Sequence, residues 1–319
     1  MRLYILQPQE RVPMIDLITQ SHQVFQSAPP NIERYVVRGE AAADAFLVPT
    51  DASFWEKPYI EFLESKSQIA PLIFFNRSDR PVVTTLSNSF SLQNSYLVRG
   101  SNNQIVIPYN ILQLSNFGKR SFYSDPNISF VGYVPGLTLG RIKISVIENF
   151  PYSILNNSFV VRNFGVRNLE RQFSASTVVR RKIYGGARSL IGDVSAWRSE
   201  YEQSIEGTDL VFCPRGDANS SQRFYEAISA GRIPVVPNTG QEFPSCLCGR
   251  SCEVDYILVN RTSSNIGTVV KKFWSCMDRD KYYDFQEQLR DASAHCYNYQ
   301  YYLNTLFEQD VDVLKRLTI

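Results

Sequence analysis

Short apolar runs alternate with polar or helix-spaced stretches along most of the chain. In the first half, residues 3–6, 35–37, 45–48, 71–75, 95–98 and 105–107 read as strands. Residues 14–26 and 59–66 carry apolar side chains at helical spacing, and Pro13 suits the start of the first of these helices. The second half restarts the pattern. Strands are expected at 129–133, 158–162, 210–213 and 233–236. Helices are expected at 141–149, on the spacing of Ile142, Val146 and Ile147, and at 196–204, 221–230, 281–292 and 297–315. Strands that alternate with helices predict parallel sheets covered by helices.

Between the halves, residues 115–127 hold Gly118, Asp125, Pro126 and Asn127, a turn-rich composition. The expected fold is therefore α/β, with two Rossmann-like domains facing a cleft. Residues 1–120 form the first domain and 121–300 the second. A closing helix at 301–319 is placed to pack on the first. The 319 residues suit two domains of ordinary size. Ligands of such sheets sit beyond the carboxyl ends of the strands.

Composition narrows the function classes. A net charge of +2 gives no field for nucleic acid or for an anionic membrane, so any anion site must be local. The first apolar run is too short for a signal peptide, and no segment approaches the ~20 apolar residues of a membrane span. The expectation is a cytoplasmic chain with at most peripheral membrane contact. Of six cysteines, Cys246, Cys248 and Cys252 cluster as C-x-C-x3-C. Reduced thiols are the default without a secretion signal, with a metal site or a disulfide as alternatives. The only histidines are His22 and His295, so histidine-based nucleophilic catalysis is not expected.

The richest segment is 211–236. It reads as strand, loop, helix, turn, strand. Gly216 permits a tight loop, Ser220 is a good N-cap, and Ser221, Gln222 and Arg223 would open the helix. Free N–H groups, the positive helix end and two hydroxyls then meet, which makes an anion site. Arg215 and Arg223 add fork-shaped donors suited to phosphate. One turn deeper, Glu226 is placed to accept two hydrogen bonds from a ribose diol. The same residues also describe an ordinary βαβ unit in which Glu226 pairs with an arginine.

The run from Cys213 through Pro214-Arg215-Gly216-Asp217, Ser221, Arg223, Glu226-Ala227-Ile228 and Ala230-Gly231 to Ile233-Pro234-Val235 resembles the signature of the exostosin family of glycosyltransferases. Weaker landmarks in family order are Ala43-Asp44-Ala45-Phe46-Leu47-Val48-Pro49, Ile105-Val106-Ile107-Pro108 without the family's preceding Asp, Phe130-Val131-Gly132 followed by Arg141, and Tyr201. The resemblance implies a GT-B fold, with the nucleotide sugar held by the second domain and the acceptor mostly by the first. It implies inverting transfer from a nucleotide sugar, commonly a UDP-sugar, to a carbohydrate or glycolipid acceptor. Glu226 carries over as the ribose contact. Arg215, Ser220, Ser221 and Arg223 carry over as diphosphate contacts, and Arg141 adds charge. Family members in animals are anchored in the secretory pathway. This chain shows no anchor, and Asn219-Ser220-Ser221 is a glycosylation sequon inside the expected site, so a cell-surface polysaccharide pathway is the expected setting.

Inverting transfer needs a stabilised leaving group, an aimed hydroxyl and a base. Arginines and a helix end neutralise a diphosphate without a metal, so no cofactor is expected. Asp51 and Asp79, in loops after strands, are the base candidates, with Glu10 behind them; each also reads as a solvated loop carboxylate. Trp55 and Tyr59 are candidates to stack on the acceptor sugar, or for core packing. Asp278-Arg279-Asp280 mimics a metal-binding D-x-D but is better placed to cap the helix that follows. The competing function is a non-catalytic nucleotide-sugar or glycan-binding protein. A nucleotide-sugar epimerase would need G-x-G-x-x-G after the first strand, and Leu6-Gln7-Pro8-Gln9 lacks it.

Overall fold

The structure is a computed structural model. It describes all residues except 7–33, 49–56, 77–85, 87, 95–103, 112, 135–157, 174–175, 181–193, 217–218, 248–253 and 318–319. The expected helices at 14–26 and 141–149 and the strand at 95–98 lie outside the described residues. The chain divides into two compact units. One comprises Met1–Asn110, Glu242–Cys252 and His295–Ile319; the other comprises Ile111–Gln241 and Glu253–Ala294.

The first unit is built on β1 (Leu3–Ile5), β2 (Ala45–Val48), β3 (Leu72–Asn76), β4 (Ser89–Gln93) and β5 (Gln104–Val106), with helix α1 (Lys57–Ser67) between β2 and β3. All five strands are parallel and lie in the order β1-β2-β3-β4-β5. Outside β1, Val36 makes a single parallel bridge to Leu3. The alternation of side chains along each strand sorts the core. Ala45, Leu47, Ile73 and Phe75 share one cluster with Tyr302, Leu303, Leu306, Phe307 and Leu314 of the C-terminal segment. Phe46, Val48, Leu72 and Phe74 share the other with Tyr59 and Leu63 of α1. Both faces are therefore covered, which is why β2 and β3 are apolar throughout 45–48 and 72–75.

The second unit opens with β6 (Ile128–Tyr133), followed by α2 (Ser158–Gln172), β7 (Ser176–Arg180), α3 (Val194–Glu206), β8 (Leu210–Phe212), α4 (Gln222–Ser229), β9 (Ile233–Pro237), β10 (Ile257–Val259), α5 (Ile266–Ser275) and α6 (Arg279–His295). Helices α7 (Tyr299–Glu308) and α8 (Val311–Leu317) close the chain and belong with the first unit. The second sheet is all parallel in the order β10-β9-β8-β6-β7. Read from β7, that is 2-1-3-4-5, a doubly wound sheet whose order reverses between β6 and β8.

Three sequence expectations change. Residues 158–162 are not a strand but the first turn of α2. Val160, Val161, Val166 and Leu169 are buried at helical spacing, so packing overrides the β-preference of the valines. The stretch 115–127 is no loose linker. Arg120 Nε donates to Asp209 Oδ1 at 3.0 Å, its backbone N–H donates to Gln286 Oε1 at 2.8 Å, and Trp274 Nε1 donates to Tyr123 O at 2.9 Å. The expected helix at 297–315 is two helices, α7 and α8. Asp278 does cap α6: its Oδ1 accepts from Lys281 N–H at 2.9 Å.

The thiols also differ from the reduced default. Cys246 and Cys296 are each disulfide-bonded, while Cys213 and Cys276 are free. Among the described residues no helix is long and apolar enough to cross a membrane.

Candidate functional site

Arg162, Arg215 and Arg223 gather at the switch point, beyond the carboxyl ends of β6 and β8. Helix α4 begins just past β8, and Arg223 in its first turn swings back over β6. Its Nη2 donates to Val131 O at 2.7 Å. The guanidinium carbon lies 4.8 Å from the Phe130 ring centroid and 5.9 Å from that of Tyr201. Room for it exists because β6 has a glycine there. A Cβ on Gly132 would stand 2.2 Å from Arg223 Nη2. Arg223 Nε has no hydrogen-bond partner among the described residues. A cation held on two aromatic faces with a donor to spare is suited to an anion.

Arg162, which sequence reasoning missed, ties the two strand ends together. From α2 it donates through Nη1 to Tyr133 O at 3.3 Å and through Nε to Arg215 O at 3.1 Å. The missed signal was the helical spacing of 158–172: once those residues form a helix, Arg162 points at the sheet edge.

The helix start differs from the sequence expectation. The N-cap is Ser221 rather than Ser220, in extended conformation and without a side-chain capping bond. Gly216 N–H instead donates to Ser220 O at 2.8 Å, which closes the loop on itself and takes Ser220 out of the cap. The first-turn N–H groups of a helix have no acceptor a turn back, so an uncapped start needs other partners; in α4 Phe224 N–H takes Ser221 O at 3.1 Å. The hydroxyl residues of the tip are buried, Ser220 at 3% and Ser221 at 4% exposure, while Gln222 beside them in the first turn is exposed and Arg223 half-buried. Arg215 is also buried, with Nε on Gly216 O at 3.3 Å.

Glu226 lies below Arg223, buried, and its two oxygens have separate partners. Arg198 Nη1 donates to Oε1 at 3.0 Å, and Tyr201 OH donates to Oε2. Arg198 also pairs with Glu202. Burial opposes the charge on Arg198, but its bonds to Glu202 and Glu226 raise its pKa above the ordinary value. Burial, reinforced by the charge of Glu226, pushes the Tyr201 hydroxyl well above its usual pKa, so it remains a proton donor. The arginine partner of Glu226 thus comes from α3, not from Arg215 or Arg223. Burial likewise raises the Cys213 thiol, which stays protonated and is no nucleophile.

Of the other sequence candidates, Arg141, Asp51, Asp79, Glu10 and Trp55 lie outside the described residues. Tyr59 is 4% exposed and its ring stacks on Phe62 at 6.0 Å, inside the core. It serves packing, the alternative its composition left open. Arg232, beside the signature helix, is a structural residue. Its guanidinium donates to the carbonyls of Ile205, Ala230, Glu206 and Gly118 and to Gln286 Oε1.

The segment that carries this geometry matches a known family model. The model is described as the RXYLT1 C-terminal domain and covers residues 175–306. No curated protein matches the chain. Similar solved structures include a glycosyltransferase from Rickettsia africae, at 11% identity and a TM-score of 0.39, covering 98% of this chain and 84% of that one. Another is HepE from Anabaena in complex with UDP and glucose, at 13% identity and a TM-score of 0.37, covering 98% of each chain. The strand order described above stands on the chain's own hydrogen bonds.

Proposed function

We propose that the chain is a glycosyltransferase that moves the sugar of a nucleotide-sugar donor, a UDP-sugar, to a carbohydrate or glycolipid acceptor. The observation that carries this reading is Arg223, set by α4 over the end of β6 at the point where the strand order reverses. Open α/β sheets bind ligands there. The match of residues 175–306 to a family model supports it, as does the exostosin-like run at 213–235, which spans the loop after β8, then α4 and the start of β9.

In this reading the diphosphate takes Arg223 and the uncapped first turn of α4 as its partners. Negative charge that develops on the leaving group meets a fixed guanidinium and the positive helix end, so no metal is needed. Glu226 uses two of its four lone-pair sites on Arg198 and Tyr201, which leaves capacity for a ribose hydroxyl. Transfer is inverting, with Asp51 or Asp79 as base, in the manner of exostosin-like enzymes of cell-surface polysaccharide synthesis. The disulfides at Cys246 and Cys296 support an oxidising compartment in place of the cytoplasm.

A thermal-shift screen of nucleotides tests the reading, since specific binding raises apparent stability. UDP and at least one UDP-sugar should raise Tm, and that UDP-sugar should slowly release UDP in the presence of the protein. A chain that ignores every uridine nucleotide would sink it. Binding without any UDP release, with or without added oligosaccharides, would leave only a binding protein.

A further inference from the structure

The loops that leave neighbouring strands β8 and β9 lean on each other at the start of α4. Asn219 Nδ2 donates to the carbonyl of Thr239 at 3.3 Å. That bond fixes which way the amide is turned, so Oδ1 faces away from the Thr239 carbonyl. This Oδ1, the Ser220 hydroxyl and the Thr239 hydroxyl have no hydrogen-bond partner among the described residues. Each of the three residues is only 3% exposed. Gln241 Nε2, two positions past Thr239, is also buried without a partner. Folded chains tolerate few unpaired buried polar groups, because each loses its bonds to water and gains nothing. Four of them on two adjoining loops, at the start of the helix that carries Arg223, mark a place that a ligand completes.

The chemistry of the four groups selects the ligand. Asn219 Oδ1 only accepts, Gln241 Nε2 only donates, and the two hydroxyls do both. None is charged. A phosphate oxygen only accepts, so it cannot satisfy Asn219. A sugar hydroxyl donates and accepts at once, and a ring bearing several can serve all four. We propose that Asn219, Ser220, Thr239 and Gln241 form the subsite for the sugar of the donor, next to the diphosphate contacts of Arg223, and that Thr239 is a specificity-determining residue. This rests on the donor-site reading given above. It moves Ser220 from the diphosphate to the sugar.

Thr239→Val keeps the side-chain shape and removes the hydroxyl. Parent and variant are titrated calorimetrically with UDP and with UDP-glucose, UDP-galactose, UDP-N-acetylglucosamine, UDP-xylose and UDP-glucuronic acid. The parent should bind at least one UDP-sugar with an affinity different from that of UDP. In Thr239→Val, that UDP-sugar should weaken relative to UDP by about fivefold, the loss of one neutral hydrogen bond, while UDP binding holds. The melting temperature should stay or rise, since an unpaired buried hydroxyl has been removed. An unchanged ratio, an equal weakening of UDP and UDP-sugar, or a lowered melting temperature would overturn the assignment. So would a parent that binds every sugar of the panel as it binds UDP. If UDP itself does not bind the parent, the donor-site reading fails first, and this subsite with it.

Discussion

Replacing Gly132 by alanine adds one methyl group beneath Arg223. Its Cβ would stand 2.2 Å from Nη2 and 3.2 Å from both Cζ of Arg223 and the Phe130 ring. The ring is fixed in the core, so the guanidinium moves. It gives up the bond to Val131 O, about 1 kcal/mol, and its seat on Phe130, about 0.5–1 kcal/mol. Against that, alanine in a strand recovers roughly 0.5–1 kcal/mol of backbone entropy relative to glycine. The net cost to stability is therefore about 0.5–1.5 kcal/mol, and the fold should survive. The cost to function is larger if Arg223 serves the diphosphate. Losing charge-assisted hydrogen bonds worth about 1.5–3 kcal/mol weakens UDP binding about 10- to 100-fold. Thermal melts and calorimetric titration with UDP measure the two effects separately. A Gly132→Ala protein that binds UDP like the parent would refute the role of Arg223. One that fails to fold would refute the claim that the flexible arginine, not the sheet, absorbs the methyl.

Other substitutions test the supporting framework. Glu226→Ala strands the Tyr201 hydroxyl and leaves the Arg198 guanidinium with Glu202 alone as its carboxylate partner. A fully buried pair broken this way costs about 3–5 kcal/mol, but Arg198 keeps 35% of its side chain in water, so roughly 2 kcal/mol is expected in urea unfolding. A loss near zero would contradict the network. Arg232→Ala removes a buried side chain that bonds four backbone carbonyls and Gln286, and leaves a cavity there, although Gly118, Ala230, Ile205 and Gln286 each keep a second donor. More than about 3 kcal/mol should be lost, visible as lost helical circular dichroism at 37 °C; a melting point near the parent's would contradict it. Reduction with dithiothreitol should lower stability by about 2–4 kcal/mol, and peptide mapping should find Cys246 and Cys296 open to alkylation only after reduction. Alkylation of either without reductant would show the disulfides to be wrong.

The α/β character was legible because strands buried on both faces are apolar at every position, as at 45–48, 72–75 and 210–212. The site's location was legible for a similar reason. A strand, a glycine-bearing loop, a short helix and a second buried strand admit few arrangements, and 211–236 adopts the expected one. Elements built differently escaped. In β4, Ser89, Ser91 and Gln93 are buried between the apolar residues, so the strand carries no hydrophobic run. Helix α2 opens on Ser158-Phe159-Val160-Val161, whose β-branched pair reads as a strand until Val166 and Leu169 are seen to share its face. The cap was misplaced by one residue because a hydroxyl's value as a cap depends on the loop before it, and the bond from Gly216 to Ser220 is not written in residue types. The pairing of Glu226 with Arg198 and Tyr201 joins residues 28 and 25 positions apart. Spacing along one helix gives no hint of such a contact.

In the proposed function the start of α4, with Arg223, receives the diphosphate of a uridine nucleotide. A crystal structure of the chain grown with UDP tests it most directly. Diphosphate density is expected within hydrogen-bond distance of the Arg223 guanidinium and of the first-turn N–H groups of α4, at the ends of β6 and β8. Nucleotide density elsewhere on the chain, with Arg223 still bonded only to Val131, would contradict it.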